Sequence, residues 1–288
     1  MVVAMLLSGT IGLVALESGL PVEVIVVLRC FLGAAALAMW VLLQRQWVTL
    51  RRQDMLWLVT GGVALVGNWV ALFHAYDYVG VAVATVVYHV QPFLLVLAAA
   101  LTGERMGWQK LPWMLLALAG VVMTSGLGFS ATDWEVSQAG WGVMLGLLAA
   151  SLYTVTVMVT RKVRQIPPAQ TAMVQMASGG VVLALWQAPM LLSNWWSAVQ
   201  VPWLQATACV LVLGCLHTAF MYVLMYGAFQ RLSAGAIAIL SFIYPGVALL
   251  IDLLWFDVRP SHAQWLGMAA IACAVWGYRW QELRMLKK

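Results

Sequence analysis

Runs of about twenty apolar residues fill most of the chain, separated by short stretches that hold a charge, a proline or a glycine. They fall at residues 2–18, 22–43, 55–77, 81–101, 111–129, 140–160, 169–192, 204–229, 234–256 and 263–283. A run of that length crosses a bilayer as a helix, because an α-helix satisfies its own backbone hydrogen bonds where no water can. A membrane barrel shows shorter, alternating segments instead. The pattern predicts an all-α integral membrane protein of ten transmembrane helices.

Composition narrows the class. Of 288 residues 64% are hydrophobic and 9% charged, with a mean hydropathy of +0.93. Fifteen Lys and Arg with ten Asp and Glu are too few to wet a soluble surface of this size. A soluble enzyme, a nucleic-acid-binding domain and a disordered chain are thereby excluded, and the predicted surroundings are a lipid bilayer. The net charge of +5 matters through its placement. With the N-terminus in the cytoplasm, the cytoplasmic connections hold Arg45, Arg51, Arg52, Arg105, Lys110, Arg161, Lys162, Arg164 and Arg231, and the C-terminal end adds Arg279, Arg284, Lys287 and Lys288. Only Arg29 and Arg259 lie elsewhere, while Glu17, Asp77, Asp133, Glu135 and Asp257 fall on the opposite side and Glu23 starts the second run. The positive-inside rule then predicts cytoplasmic N- and C-termini. Trp195, Trp196 and Trp203 read as interfacial anchors. The first run lacks a basic leader, so no cleaved signal peptide is expected. Cys30, Cys209, Cys215 and Cys273 sit in apolar runs and read as small packing residues rather than a disulfide framework.

Shifting the chain on itself by 153 residues aligns Ala75 with Ala228, Pro92 with Pro245, Leu97 with Leu250, Leu101 with Leu254 and Glu104 with Asp257. Ala117 and Ala119 fall on Ala270 and Ala272. A proline-bearing helix, an acidic turn and an Ala/Gly-rich helix thus occur twice in the same order. Five spans per copy is an odd number, so the second copy runs upside down. The division is an N-terminal five-helix repeat at 1–129, an external linker at 130–139 and an inverted repeat at 140–288. Such architecture points to a carrier, although channels also use it.

The chain resembles the EamA-type ten-helix members of the drug/metabolite transporter superfamily. The resemblance rests on Pro21 to Arg29, on Ala82 through Pro92 to Gly103-Glu104-Arg105, on Gly120, and on the degenerate second copy from Ala234 through Pro245 to Asp257 and Gly267. The chain departs from the pattern at Leu7-Ser8-Gly9, where a Trp-Gly or Trp-Ser pair is common, and at Asp257, where Glu is usual. The resemblance implies export of small metabolites, amino acids among them, across the bacterial inner membrane. No cofactor and no metal are expected.

Polar residues inside the runs mark a candidate cavity, since a polar group in hydrocarbon is costly unless it faces the bundle interior or water. Pro92 and Pro245 are expected to kink the fourth and ninth helices at mid-depth and open space there. Around them stand Tyr88, His89 and Gln91 in span four, Ser241 and Tyr244 in span nine, Asn68 and Trp69 in span three, His217 and Tyr222 in span eight, and Tyr153 in span six. These ten are the candidate substrate-binding residues. His89 and His217 could carry a proton or bind a substrate carboxylate, and a neutral histidine satisfied by a neighbouring helix is an equal alternative. Asp252 is the one acid well inside a run and the candidate for proton coupling, or it reaches outward to water. Arg29, two turns into span two, either binds a substrate carboxylate or pairs with Glu17 or Glu23; the pairing is the simpler expectation. His74, Tyr76 and Asp77 could line an external mouth. Small residues Ala117, Gly120 and Gly128 in span five and Gly267, Ala270 and Gly277 in span ten fit either mutual packing or a dimer interface, so monomer and homodimer both stay open.

His-Glu-x-x-His, Gly-x-Ser-x-Gly and the phosphate loop are all absent, so neither an intramembrane hydrolase nor direct ATP drive is expected. The expected function is export of an amino acid or similar small zwitterion by alternating access. The alternatives are export of hydrophobic cations or drugs, and a channel-like facilitator.

Overall fold

The computed structural model describes residues 1–104, 110–125, 136–255 and 260–286. Among them the regular elements are all helical. In order they are α1 (Val2–Gly9), α2 (Ile11–Glu17), α3 (Val22–Leu43), α4 (Arg52–Tyr88), α5 (Gln91–Leu101), α6 (Leu111–Thr124), α7 (Val136–Lys162), α8 (Pro168–Trp186), α9 (Ala188–Leu191), α10 (Trp203–Gly214), α11 (Met221–Arg231), α12 (Ala234–Ser241), α13 (Ile243–Trp255) and α14 (His262–Leu286). A six-residue π-turn, Cys215–Phe220, joins α10 to α11. Among the described residues six segments are long and apolar enough to cross a membrane: Val22–Leu43, Arg52–Val81, Val83–Leu101, Ala139–Lys162, Trp203–Arg231 and Ala234–Trp255. Val2–Glu17 and Leu111–Thr124 are shorter apolar helices. α8 and α14 are long enough but carry Gln170, Thr171 and Gln175, or Arg279, Gln281 and Arg284, which lower their apolarity.

The breaks follow local chemistry. Within α4 the helix is interrupted at Gly80, whose φ of 70° lies in the region where a side chain would be strained. α4 and α5 part at Val90 and α12 and α13 at Phe242, two or three residues before Pro92 and Pro245. A proline nitrogen has no hydrogen to give the carbonyl four residues back, yet its fixed φ suits the first turn of a helix. Each proline therefore lies in the first turn of a new helical segment, and the expected kinks take the form of one- or two-residue interruptions whose backbone stays near helical.

Large apolar side chains lie outside as well as inside. Leu97, Leu101, Leu148, Leu185, Leu204, Leu254, Trp276 and many others are exposed, a perimeter suited to lipid rather than water. The main core joins α1, α3, α4, α5, α8 and α11 around Leu37, Leu65, Leu95, Met176, Tyr226 and Phe229. A second core joins α6, α12 and α14 around Met114, Ile239, Phe242 and Tyr278. The principal pairings are α4 with α7, α6 with α14, α3 with α8, α4 with α8, α5 with α12, and α1 with α13. The small residues of α6 and α14 serve this pairing: a methyl on Gly120 would lie 2.7 Å from the Gly267 carbonyl oxygen, and one on Gly267 2.7 Å from that of Gly120. All four cysteines are free. Gly128, Arg105, Asp133, Glu135, Asp257 and Arg259, with residues 130–135 of the expected linker, lie outside the described residues.

Hydrogen bonds tie the connections together at two ends. At the basic end Gln170 Nε2 donates to the Val48 carbonyl at 2.7 Å, Gln165 Nε2 to Asp54 at 3.1 Å and Gln230 Nε2 to the Ile166 carbonyl at 3.0 Å. At the other end Gln205 Nε2 donates to the Glu17 carbonyl at 2.9 Å, Trp255 Nε1 to the Glu17 carboxylate at 3.2 Å, and Gln264 Nε2 to the Thr124 carbonyl at 3.2 Å. Trp195 packs edge-on against both Trp196 and Trp203 at this second end.

Candidate functional site

The two breaks meet ring to ring. His89, the residue that closes α4, lies 5.8 Å from Phe242, the residue that closes α12, and stacks on Tyr244 at 5.2 Å between centroids. Phe93 of α5 also meets Phe242 edge-on at 6.5 Å. Tyr88 stands perpendicular to His89 and meets Tyr153 edge-on at 60°, and Tyr153 continues to Phe229, which stacks on Tyr226 and so reaches Tyr222. The result is a wall of rings whose hydroxyls and imidazole can hydrogen-bond while their faces stay apolar.

Two buried polar atoms at the α4–α5 junction have no partner. His89 is 3% exposed; its Nδ1 is 2.6 Å from the Thr85 carbonyl oxygen, an acceptor, so Nδ1 carries the proton and Nε2 is a bare acceptor. That Nε2 is buried without a hydrogen bond, and so is Nε2 of Gln91, a donor on a side chain also 3% exposed. Buried polar atoms are nearly always paired, so an orphaned acceptor and donor two residues apart are a place for a ligand's polar groups.

The remaining candidates divide. Trp69, His217 and Tyr222 belong to a second group around the π-turn. There the Thr10 hydroxyl, which donates to the Leu7 carbonyl, is 2.8 Å from His217 Nε2, and Tyr222 packs on Tyr226. Asn68 is buried beside Trp69, with Nδ2 3.5 Å from the Leu65 carbonyl and Oδ1 unpaired. The Ser241 hydroxyl donates to the Ala238 carbonyl of its own helix at 2.7 Å, which leaves it a capping role at the α12 break. Asp252 lies on α13, and its side chain is outside the described residues.

Arg29 departs from the simpler expectation. Neither Glu17 nor Glu23 reaches it: Glu17 accepts from Gln205 and Trp255, and among the described residues no carboxylate pairs with the guanidinium. Its Nε donates to the Thr218 hydroxyl at 3.3 Å, and its Cζ lies 5.5 Å from the Trp69 ring centroid.

The two ends of the bundle differ. At the end away from the basic loops a cleft of about 220 Å³ opens, lined by Val22, Glu23, Val26, Trp69, Tyr76 and Asp77 among others. His74 and Asp77, expected at a mouth, stand on it 3.6 Å apart. The basic end is clasped by a residue that the sequence offered only as an acidic turn. Glu104 Oε2 accepts from Arg161 of α7 at 2.6 Å, and its Oε1 accepts from the Ala234 amide, the first of α12, at 2.9 Å. Three helices are thereby joined at one carboxylate. Deeper on that side Tyr226 donates to Gln175 Oε1, and Gln175 Nε2 donates to Thr160 at 3.3 Å, so the interior there is filled and hydrogen-bonded.

Comparison with known proteins agrees with the fold and the class. The EamA-like transporter family model matches residues 1–126 and matches again at 140–280. A Bacillus subtilis (strain 168) protein named "Uncharacterized transporter YxxF" is 27% identical over 279 residues, covering 94% of this chain and 85% of that one. A solved structure titled "Crystal structure of protein" superposes with a TM-score of 0.81 at 22% identity, covering 95% of this chain and 94% of that chain, and shares its fold.

Proposed function

Because the chain belongs to the EamA-like transporter family, we propose that it is a bacterial inner-membrane exporter of small amphiphilic metabolites, amino acids first among them. In this reading ten helices form two inverted repeats, both termini are cytoplasmic, and the halves rock about the aromatic wall. The observation that carries it is the meeting of the two helix breaks at His89, Phe242 and Tyr244, with His89 Nε2 unpaired there and Gln91 Nε2 unpaired two residues further along the chain. Broken helices at the midplane are where transporters of inverted repeats hold their cargo.

Two further features support it. One family model matches twice, on either side of residues 127–139. Several helix pairings recur when the halves are exchanged: α4 with α7 has α10 with α2 and α11 with α1, α5 with α7 has α13 with α1, and α3–α8 and α6–α14 map onto themselves. The open cleft at one end and the Glu104 clasp at the other correspond to a state open outward and closed inward. Amides, imidazoles and tyrosine faces suit a solute with an apolar body and a polar head.

Uptake of labelled solutes into proteoliposomes, with and without a pH gradient, tests the proposal. Amino acids should move. Movement of lipophilic cations in their place would refute the assigned cargo, and no movement of either would refute the carrier.

A further inference from the structure

The α3 face that lines the cleft continues inward to a buried charge. Val22 and Val26 line the cleft, and steps of four, three and four residues from Val22 reach Val26, Arg29 and Gly33 on one helical stripe. Arg29 is therefore the next position below the cleft floor. Trp69 joins the two: it lines the cleft and carries the guanidinium against its ring.

The π-turn explains why the guanidinium is held and yet not neutralised. A methyl on Gly33 would overlap the Thr218 side chain, so glycine there lets the turn close on α3. Thr218 donates its hydroxyl proton to the Leu213 carbonyl, five residues back, at 2.8 Å. Its oxygen is left as an acceptor for Arg29 Nε–H. That is one neutral bond for a group with five N–H donors and a full charge. At 8% exposure the side chain is more than nine-tenths buried, and no carboxylate among the described residues compensates it. Single-turn π-bulges of this kind gather at functional sites. An uncompensated intramembrane cation calls for an anionic partner, and planar guanidinium matches a carboxylate in two parallel bonds.

We infer that Arg29 is the carboxylate-recognition residue of this transporter, positioned by Thr218 and Trp69 just beneath the open cleft. The inference rests on the proposed transport reading and names the chemical group the cargo carries. A zwitterion held with its carboxylate on Arg29 turns its ammonium toward Glu23 and Asp77 of the cleft, the side on which an exported solute leaves.

Matched probes test it. Binding of L-phenylalanine and phenylacetate is compared with that of L-phenylalaninamide and phenethylamine, on the full chain in detergent, by calorimetry. The wild type should bind the two acids at least tenfold more tightly than the amide and amine. Arg29→Gln should lose at least tenfold for the acids and nothing for the other pair, with Arg29→Lys in between. Thr218→Val, which keeps the shape, should weaken the acids alone, and it stands in if Arg29→Gln does not fold. Equal binding of both pairs by the wild type, or wild-type acid binding in Arg29→Gln or Thr218→Val, overturns the inference. If the amide and amine bind and Gln91→Ala abolishes that binding, the transport reading survives while the role of Arg29 falls. If none of the four binds, both fall.

Discussion

Glu104 concentrates the closure of the basic end in one side chain, so its removal is the sharpest perturbation available. Glu104→Ala deletes an ion pair with Arg161 and the acceptor of the Ala234 amide, one of the orphan donors at the start of α12. Ser233, whose hydroxyl accepts from the Ala236 amide at 3.3 Å, remains as the cap. Hydrogen bonds to charged groups contribute about 1.5–3 kcal/mol each, but Glu104 is a third exposed and solvent takes part of that. The two bonds together are then worth about 2–3 kcal/mol, which shifts a two-state equilibrium roughly 30- to 160-fold. The readout is hydrogen exchange over residues 232–238, followed by mass spectrometry. Exchange should accelerate by that factor in Glu104→Ala and by less in Glu104→Gln, which keeps an acceptor for Ala234 but gives up the charge. Wild-type protection in Glu104→Ala would refute the clasp, and with it the reading that this end is held shut by a carboxylate.

Other outcomes follow from the same geometry. Gln91→Ala and His217→Ala should each lower transport about tenfold at unchanged expression, the scale of one hydrogen bond to a buried group; wild-type rates in both would show that the cavity lies elsewhere. Asp252→Asn should flatten the dependence of transport on pH if that carboxylate couples protons, and an unchanged profile removes it from the mechanism. Gly120→Ala forces a methyl against the Gly267 carbonyl and should cost about 1–3 kcal/mol in reversible denaturant unfolding. Full stability in that variant would mean that α6 and α14 do not pack backbone to backbone.

The helices were legible because length and apolarity decide them locally. The boundaries expected for the second run, 22–43, coincide with α3, and the ninth run, expected at 234–256, is covered by α12 and α13 up to Trp255. Proline at 92 and 245 announced that these helices are interrupted, since the missing hydrogen is a property of the residue. The aromatic candidates Tyr88, His89, Tyr153 and Tyr244 could be gathered because a buried polar group must face inward in a membrane. Three features were not legible. Whether Arg29 finds Glu17, Glu23 or neither depends on how α3 is turned against the π-turn and α4. Glu104 joins α7 and α12, partners 57 and 130 residues away, which only packing brings together. The small residues of α6 and α14 fit two partners equally in sequence, and the approach of Gly120 to Gly267 chose between them. Hydropathy is summed along the chain, whereas compensation of a charge and closeness of two backbones are sums over space.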